Sequence, residues 1–244
     1  MNSIKIWSKF AVSKRMFTIP NLITSLNLFF GCCALVSLQQ ANYPWALIWI
    51  LVAVLADFAD GFVARALKQT SAFGLQLDSL SDVVSFGVVP GFIAFHFLQV
   101  YFPEYPYVPY ASFLIALMAA FRLARYNLSG KGEAYFFEGL PVPANALFFT
   151  GLLGLEIQGR YLGISDLSGI AILVFIGLFS YLMISPYRIL KIHVEKNWLN
   201  RYYSLLILLG VAMLSWFWIG PIALSLAVIL HIVYSFTIQL TQSK

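Results

Sequence analysis

The chain has 244 residues, of which 61% are apolar and only 10% are charged, and its mean hydropathy is +0.84. A soluble domain carries about 25% charged residues, so this composition excludes an ordinary soluble protein. The net charge of +5 is spread beside apolar runs rather than gathered in a basic domain, which favours membrane lipids as partners and argues against nucleic acid. We therefore expect an all-α, polytopic membrane protein.

A basic, amphipathic segment comes first, and apolar runs follow it along the chain. Because of this character, residues 1–18 are predicted to lie as an arm on the membrane surface. They lack the cleavage site of a removable signal peptide. About 20 apolar residues cross a bilayer, so the later runs predict about eight transmembrane helices. These runs cover residues 20–39, 45–68, 73–101, 107–126, 141–158, 166–187, 201–218 and 220–240.

The positions of the basic residues predict how these spans are oriented. If the N-terminus is cytoplasmic, every lysine and arginine except Arg160 falls at a cytoplasmic end or loop. This distribution obeys the positive-inside rule and predicts that both termini are cytoplasmic. Removing one span would invert every later loop, so the same distribution supports the count of about eight.

The most informative stretch is the hairpin of the second and third spans, which carries four of the ten acidic residues. Asp57 and Asp60 are three residues apart, and Asp78 and Asp82 are four apart, so each pair lies on one helix face. The two pairs stand at similar distances from the turn at Gln69. In an antiparallel hairpin they are predicted to meet at one level, inside the cytoplasmic leaflet.

Four carboxylates inside a membrane need a compensating charge. Each charged residue near the middle of a span costs about 2.5–3.5 kcal/mol on the insertion scale, before the carboxylates repel one another. Hard oxygen donors are the ligands that Mg²⁺, Mn²⁺ or Ca²⁺ prefer, so the cluster predicts a divalent-metal site. The alternatives are a polar network that ties helices together and a pathway for a transported cation.

Residues 57–82 read D-x2-D-G-x2-A-R-x8-G-x3-D-x3-D, which resembles the signature of the CDP-alcohol phosphotransferase family at every fixed position. The resemblance extends over most of the chain and includes the first span, where residues 20–27 resemble the family's opening segment. It implies a catalytic core over residues 19–190, with six helices, followed by two additional transmembrane helices in residues 191–244. It also implies a homodimer in the cell's inner membrane, with an active site that faces the cytoplasm.

The same resemblance implies roles for individual residues. Asp57, Asp60 and Asp78 are implied to be metal ligands, while Asp82 is implied to be a shared ligand and the catalytic base. The implied cofactor is a divalent metal, Mg²⁺ or Mn²⁺, as two ions. The residues expected at the CDP site are Asn21, Thr24, Asn27, Gly61, Ala64, Arg65 and Gly74.

Three further segments, residues 79–87, 121–127 and 139–144, most resemble the branch of the family that uses serine as its acceptor alcohol. This implies CDP-diacylglycerol and L-serine as substrates, and glycerol phosphate or inositol phosphate is the alternative acceptor. Serine carries a carboxylate, which arginine and lysine bind well. The candidates for binding serine or the lipid phosphate are Arg122, Arg125, Asn127 and Lys131, and anchoring at the membrane surface is the alternative for these basic residues.

Overall fold

The structure is a computed structural model that describes residues 16–129, 136–159, 166–190 and 218–242. Within these ranges the chain is mostly helical, with two short strands. The helices are α1 (Ile19–Gln39), α2 (Tyr43–Ala66), α3 (Ala72–Asp82), α4 (Val89–Tyr101), α5 (Leu114–Ser129), α6 (Val142–Ile157), α7 (Asp166–Ile184) and α8 (Ala223–Gln242). A π-helical turn (Val83–Val88) joins α3 to α4, and 3₁₀ turns (Val108–Phe113 and Gly220–Ile222) precede α5 and α8.

The lengths of these helices fit a membrane protein. Five helical segments of the described chain are long and apolar enough to cross a bilayer, and two shorter apolar helices accompany them in α6 and α7. The five cover Ile19–Gln39, Tyr43–Ala66, Ala72–Tyr101, Val108–Leu128 and Gly220–Thr237. The predicted polytopic helical bundle is therefore confirmed. The predicted span at 201–218 and most of the predicted arm lie outside the described residues.

The hairpin of α2 and α3 is closed by local signals that the sequence carries. Lys68 adopts a left-handed backbone with a φ of 53°, which ends α2 and turns the chain back. Ser71 then caps α3, because its Oγ accepts a hydrogen bond from the Gly74 N–H at 3.0 Å. Helix α1 begins in a similar way at Thr18, whose Oγ1 accepts from the Asn21 N–H at 3.3 Å.

The core of the bundle lies around α6, which is apolar on every side and buried along most of its length. Phe148 on α6 stacks on Phe179 of α7, with 4.1 Å between the ring centroids. Helix α1 packs along α2 and also contacts α3. The aspartate hairpin is therefore held from one side by α1 and from the other by the rest of the bundle.

Two three-residue strands add a feature that the all-α prediction did not contain. Strands β1 (Phe136–Glu138) and β2 (Arg188–Leu190) pair in an antiparallel ladder. Beyond the ladder, the N–H of Gly139 bonds to the Tyr187 carbonyl at 2.8 Å, and the N–H of Leu140 bonds to the Leu182 carbonyl at 2.9 Å. The chain that leads into α6 is thus fastened to the end of α7.

Replacing Gly139 by alanine is expected to destabilise the protein. Gly139 has a φ of +75°, and a Cβ there would collide with the carbonyl oxygen of Met183. A left-handed alanine costs about 1–3 kcal/mol, which corresponds to a fall in Tm of about 2–12 °C for a chain of this size. Thermal unfolding in detergent measures this. Gly177→Ala on α7 is the control, because nothing lies within 4 Å of its Cβ position; equal Tm values for the two variants would contradict the prediction.

Candidate functional site

Three of the four predicted aspartates converge where α2 and α3 face each other. Asp57 and Asp60 come from α2 and Asp78 comes from α3, and one carboxylate oxygen of each lies within 4.8 Å of the others. The three residues will be called the aspartate trio. Two helices of regular pitch bring them together because Asp57 and Asp60 share one face and Asp78 stands at the same height across the hairpin.

Asp82 stands one turn further along α3 and is not part of the trio. It is only 6% exposed, and its Oδ1 accepts a hydrogen bond from Asn27 Nδ2 at 3.1 Å. Asp57 lies within hydrogen-bonding reach of both Asp78 and Asp82, so the fourth carboxylate adjoins the trio. The buried guanidinium of Arg122 on α5 interacts electrostatically with Asp82.

The aspartate trio has the properties of a divalent-metal site. Three carboxylates at this spacing repel one another, and partial burial in the protein strengthens the repulsion. Thr24 and the backbone N–H of Gly61 lie beside the Asp60 carboxylate, yet its buried Oδ2 has no hydrogen-bond partner among the residues that the structure describes. A hard cation would both balance the charge and occupy that oxygen. The donor set therefore fits Mg²⁺ or a similar ion.

A cavity of about 470 Å³ opens beside the trio, within the size range of small-molecule binding pockets. It is bounded by the start of α1, the end of α2, the turn after it and the start of α3. The residues that line it are Pro20, Asn21, Thr24, Asp60, Gly61, Ala64, Gln69, Thr70, Ser71, Ala72, Gly74, Leu75 and Asp78. Two members of the trio thus form one end of the cavity.

Five of the seven residues expected at the CDP site line this cavity, and two do not. The five are Asn21, Thr24, Gly61, Ala64 and Gly74. Arg65 is exposed at the cavity's edge, where its charge acts on Asp60. Asn27 lies six residues, about 1.7 helical turns, beyond Asn21 and reaches Asp82 instead.

Gly74 allows α1 and α3 to approach closely. A Cβ at Gly74 would stand 2.9 Å from Asn21 Oδ1 and 3.2 Å from Ser71 Oγ, so a larger residue would push Asn21 aside. Asn21 is itself held in place, because its Nδ2 donates to the Met16 carbonyl at 2.8 Å. The glycine therefore shapes the wall of the cavity by letting Asn21 stand against α3.

Sequence reasoning missed the residues of the turn that form the far end of the cavity. Gln69 is the most informative of them, because its buried Oε1 has no hydrogen-bond partner in the described part of the chain. Thr70, Ser71 and Ala72 follow it in the lining. The sequence feature that could have indicated these residues is the spacer of eight residues between Arg65 and Gly74. It contains the turn between α2 and α3, which lies beside the cavity.

The residues expected to bind serine or lipid phosphate are placed in different surroundings. Arg122 faces Asp82, as described above. Arg125 donates from Nη1 to the Ile184 carbonyl at 2.7 Å and from Nη2 to the Glu138 carbonyl at 3.4 Å, so two of its donors already fasten the β1 segment to α7. Asn127 Nδ2 donates to Ser79 Oγ at 2.9 Å, beside Asp78. Lys131 lies outside the described residues.

The fold and the site define an integral-membrane protein with a carboxylate metal site beside a ligand-sized cavity. The family model described as CDP-alcohol phosphatidyltransferase matches residues 17–155, which is more than half of the chain and contains both the trio and the cavity. The chain belongs to the CDP-alcohol phosphatidyltransferase family, and the predicted resemblance is confirmed.

Several similar proteins carry the name CDP-diacylglycerol–serine O-phosphatidyltransferase. One from Helicobacter pylori (strain ATCC 700392 / 26695) is 30% identical over 221 residues, which cover 90% of each chain. One from Methanocaldococcus jannaschii is 35% identical over 143 residues, covering 58% of this chain and 63% of its own length. One from Saccharomyces cerevisiae is 35% identical over 158 residues, covering 57% of this chain and 54% of its own length.

Proposed function

We propose that this protein is a phosphatidylserine synthase: it transfers the phosphatidyl group of CDP-diacylglycerol to the hydroxyl of L-serine and releases CMP. The observation that carries the proposal is the aspartate trio beside the cavity, in a chain that aligns over 90% of its length with a relative named for this reaction. The relatives that carry this name come from a bacterium, an archaeon and a yeast. Their shared name supports serine rather than a phosphorylated alcohol as the acceptor.

In this proposal Asp57, Asp60 and Asp78 would hold Mg²⁺ or Mn²⁺ as two ions, with Asp82 as a shared ligand. When bound, the metal would neutralise the pyrophosphate charge and stabilise the departing CMP. The nucleotide occupies the cavity, with its phosphates toward the trio and its base toward the turn at Gln69. Small residues in the lining leave room for it, which is the role we assign to Gly61, Ala64 and Gly74. Asn21 and Thr24 present polar groups from α1, and Arg65 adds a positive charge at the edge.

Asp82 is the proposed general base. The serine oxygen attacks the phosphorus that carries diacylglycerol, the bond from that phosphorus to the CMP oxygen breaks, and the serine proton passes to the Asp82 carboxylate. Asn27 orients this carboxylate by donating to Oδ1. Arg122 interacts electrostatically with Asp82 and is our candidate for the serine carboxylate or the lipid phosphate, together with Arg125, Asn127 and Lys131.

We further propose that the protein lies in the cell's inner membrane with this site facing the cytoplasm. The support is the positive-inside pattern, since Arg65, Lys68, Arg122 and Arg125 all lie at the end of the bundle that carries the aspartates. A homodimer is proposed from the family resemblance. Labelling of single-cysteine variants from either side of sealed vesicles tests the orientation, and labelling of position 68 from the periplasmic side would contradict it.

The function is tested by measuring CMP release from CDP-diacylglycerol by the purified protein in detergent with Mn²⁺ or Mg²⁺. L-serine, glycerol 3-phosphate and inositol phosphate are supplied separately as acceptors. Metal-dependent release with serine alone is the expected result. Release only with a phosphorylated alcohol would overturn serine as the substrate, and metal uptake into liposomes without CMP release would favour a cation transporter.

Gln69→Leu is expected to weaken binding of the CDP-lipid. The substitution keeps the size of the side chain but removes the amide whose buried Oε1 lacks a partner in the cavity's far end. One hydrogen bond contributes about 0.5–1.5 kcal/mol, so KM for CDP-diacylglycerol should rise about 2–12-fold while kcat changes less than about twofold. Gln76→Leu is the matched control, because Gln76 is exposed on α3 and lies outside the cavity lining. An unchanged KM in Gln69→Leu would show that the base of the nucleotide does not bind beside Gln69.

A further inference from the structure

The helix that carries Asp78 and Asp82 does not continue regularly across the membrane. It widens into a π-helical turn (Val83–Val88) directly after Asp82 and resumes as α4. The N–H of Val89 bonds to the carbonyl of Val84, five residues back instead of four. Such a turn contains one extra residue, so the helix before it is rotated by about 100° and shifted by about 1.5 Å relative to a regular helix.

Pro90 explains why the helix widens at this point. A proline inside a helix has no N–H, and its ring clashes with the carbonyl four residues earlier, which here belongs to Phe86. The Phe86 carbonyl belongs to a buried residue and cannot accept the α-helical hydrogen bond from position 90, where proline has no N–H. Asn145 on α6, which is fully buried, supplies a replacement: its Nδ2 points to this oxygen at 3.5 Å. A wide turn and a side-chain donor from a neighbouring helix thus compensate for the proline together.

A second contact connects the π-turn to Asp82 through α1. Ser85, within the π-turn, donates from its buried Oγ to the backbone carbonyl of Asn27 at 3.0 Å. Asn27 in turn donates from its side chain to Asp82 Oδ1. Gly31 lets α1 approach this closely, because a Cβ there would collide with Ser85 Oγ. Two hydrogen bonds therefore connect Asn27 on α1 to the end of α3 and to the π-turn: one runs to Asp82 and one comes from Ser85.

The other side of the π-turn is equally close to α5. A Cβ on Gly87 would stand 3.1 Å from the Cβ of Ala119 and 3.4 Å from the Cα of Ala116. The wide turn is therefore confined between α1 and α5, and it cannot relax into a different helical phase without moving one of them. Its geometry sets the phase of α3, and so of Asp78 and Asp82 together, relative to α4.

We propose that the π-turn positions the end of α3 that carries Asp78 and Asp82, and that Ser85 and Asn145 are positioning residues for the reaction although neither belongs to the aspartate cluster or the cavity lining. Ser85 acts through Asn27, and Asn145 acts by holding the Phe86 carbonyl that Pro90 leaves without a helical donor. This inference rests on the proposed function only for the role of Asp82 as base; the placement of Asp82 beside the trio is measurable without any acceptor.

The decisive experiment separates stability from positioning with three variants: Asn145→Leu, Pro90→Ala and the two combined. Asn145→Leu leaves the Phe86 carbonyl without its donor, so both Tm and kcat should fall. In the double variant, the alanine that replaces Pro90 provides an N–H that can bond to the Phe86 carbonyl in a regular helix, so Tm should rise above that of Asn145→Leu. The regular helix would rotate α3 and displace Asp78 and Asp82 together, so kcat should stay at least tenfold below wild type. Recovery of kcat together with Tm, or no effect of Asn145→Leu, would overturn the proposal.

Ser85→Ala provides a second arm should Asn145→Leu fail to fold. It removes the hydroxyl that joins the π-turn to Asn27, and kcat is expected to fall about tenfold with KM for CDP-diacylglycerol within about threefold. Ser180→Ala is the matched control, a buried serine on α7 whose Oγ bonds to nothing in the described ranges. A kcat in Ser85→Ala equal to that of this control would overturn the role of Ser85.

Mn²⁺ titration followed by electron paramagnetic resonance reads the position of Asp82 without turnover. In Ser85→Ala the tight ion of the trio should bind as it binds wild type, while the ion that shares Asp82 should bind at least tenfold more weakly. In the double variant, which moves Asp78 and Asp82 together, both ions should bind more weakly. Equal weakening of both ions in Ser85→Ala would mean that the whole hairpin is disturbed, which overturns the proposal. If wild type released no CMP with any acceptor, the proposed function would be wrong. The titration would still test whether Ser85 positions Asp82.

Discussion

Asp78→Asn is expected to lower CMP release at least about 10³-fold. The substitution preserves the shape of the side chain but removes one of the three charges that converge within 4.8 Å. A bound metal contributes several kcal/mol to stabilising charge in the transition state, and about 4 kcal/mol corresponds to about 10³ in rate. Turnover with serine and Mn²⁺ affinity should therefore fall together, and both are measured on the same purified protein.

The design of this experiment guards against a trivial loss of activity. Glu104→Gln is the matched control, since it removes one carboxylate from an exposed position in the connection after α4 and should retain wild-type turnover. Removing one of three mutually repelling carboxylates also relieves repulsion, so Tm without metal should not fall in Asp78→Asn. Turnover above a tenth of wild type with unchanged Mn²⁺ affinity would show that the trio is not the metal site.

Helical periodicity was enough to predict most of the centre of the site. The spacings of three and four residues, together with similar distances from the turn at Gln69, predicted that all four aspartates would meet; the structure brings Asp57, Asp60 and Asp78 together, while Asp82 adjoins them one turn further along α3. This worked because α2 and the first part of α3 are regular helices joined by a short turn. Heights and faces in such a hairpin follow from the rise of 1.5 Å and the 3.6-residue period alone.

The same reasoning was less complete wherever a contact depends on residues far apart in the chain. The run at 73–101 was treated as one regular span, whereas Pro90 and Asn145 support a π-turn in its middle. The β1–β2 ladder pairs segments about 50 residues apart, and no local pattern announces it. The guanidinium of Arg125 is chemically suited to bind an anion, yet two backbone carbonyls accept its hydrogen bonds. Side-chain chemistry alone does not reveal which backbone groups lack partners.

A residue's position along the axis of α1 was a further property that the sequence pattern did not convert into a contact. Asn21 and Asn27 both lie on α1, but six residues of helix separate them by about 9 Å along the axis. That distance places Asn21 in the cavity wall and Asn27 against Asp82. The consequence is functional, because one asparagine then belongs to the proposed nucleotide site and the other to the group that orients the base.

Asp82→Asn is expected to separate binding from turnover. Asp82 is excluded from the tight grouping of the trio and accepts a hydrogen bond from Asn27, so an asparagine of the same shape should leave the cavity and the trio in place. It cannot accept the serine proton, and loss of a general base lowers kcat about 10²–10⁴-fold.

The measurement pairs kcat for CMP release with the affinity for CDP-diacylglycerol at saturating Mn²⁺. We expect the affinity for the lipid to stay within about threefold while kcat falls at least about 100-fold, because the cavity proposed for the nucleotide is lined by α1, the turn, Asp60 and Asp78 and not by Asp82. A proportional loss of lipid binding would instead assign Asp82 to the substrate-binding metal site. Comparison with Asp78→Asn makes the distinction sharp, since that variant should lose the tight ion, and Asp82→Asn should keep it and still fail to activate serine.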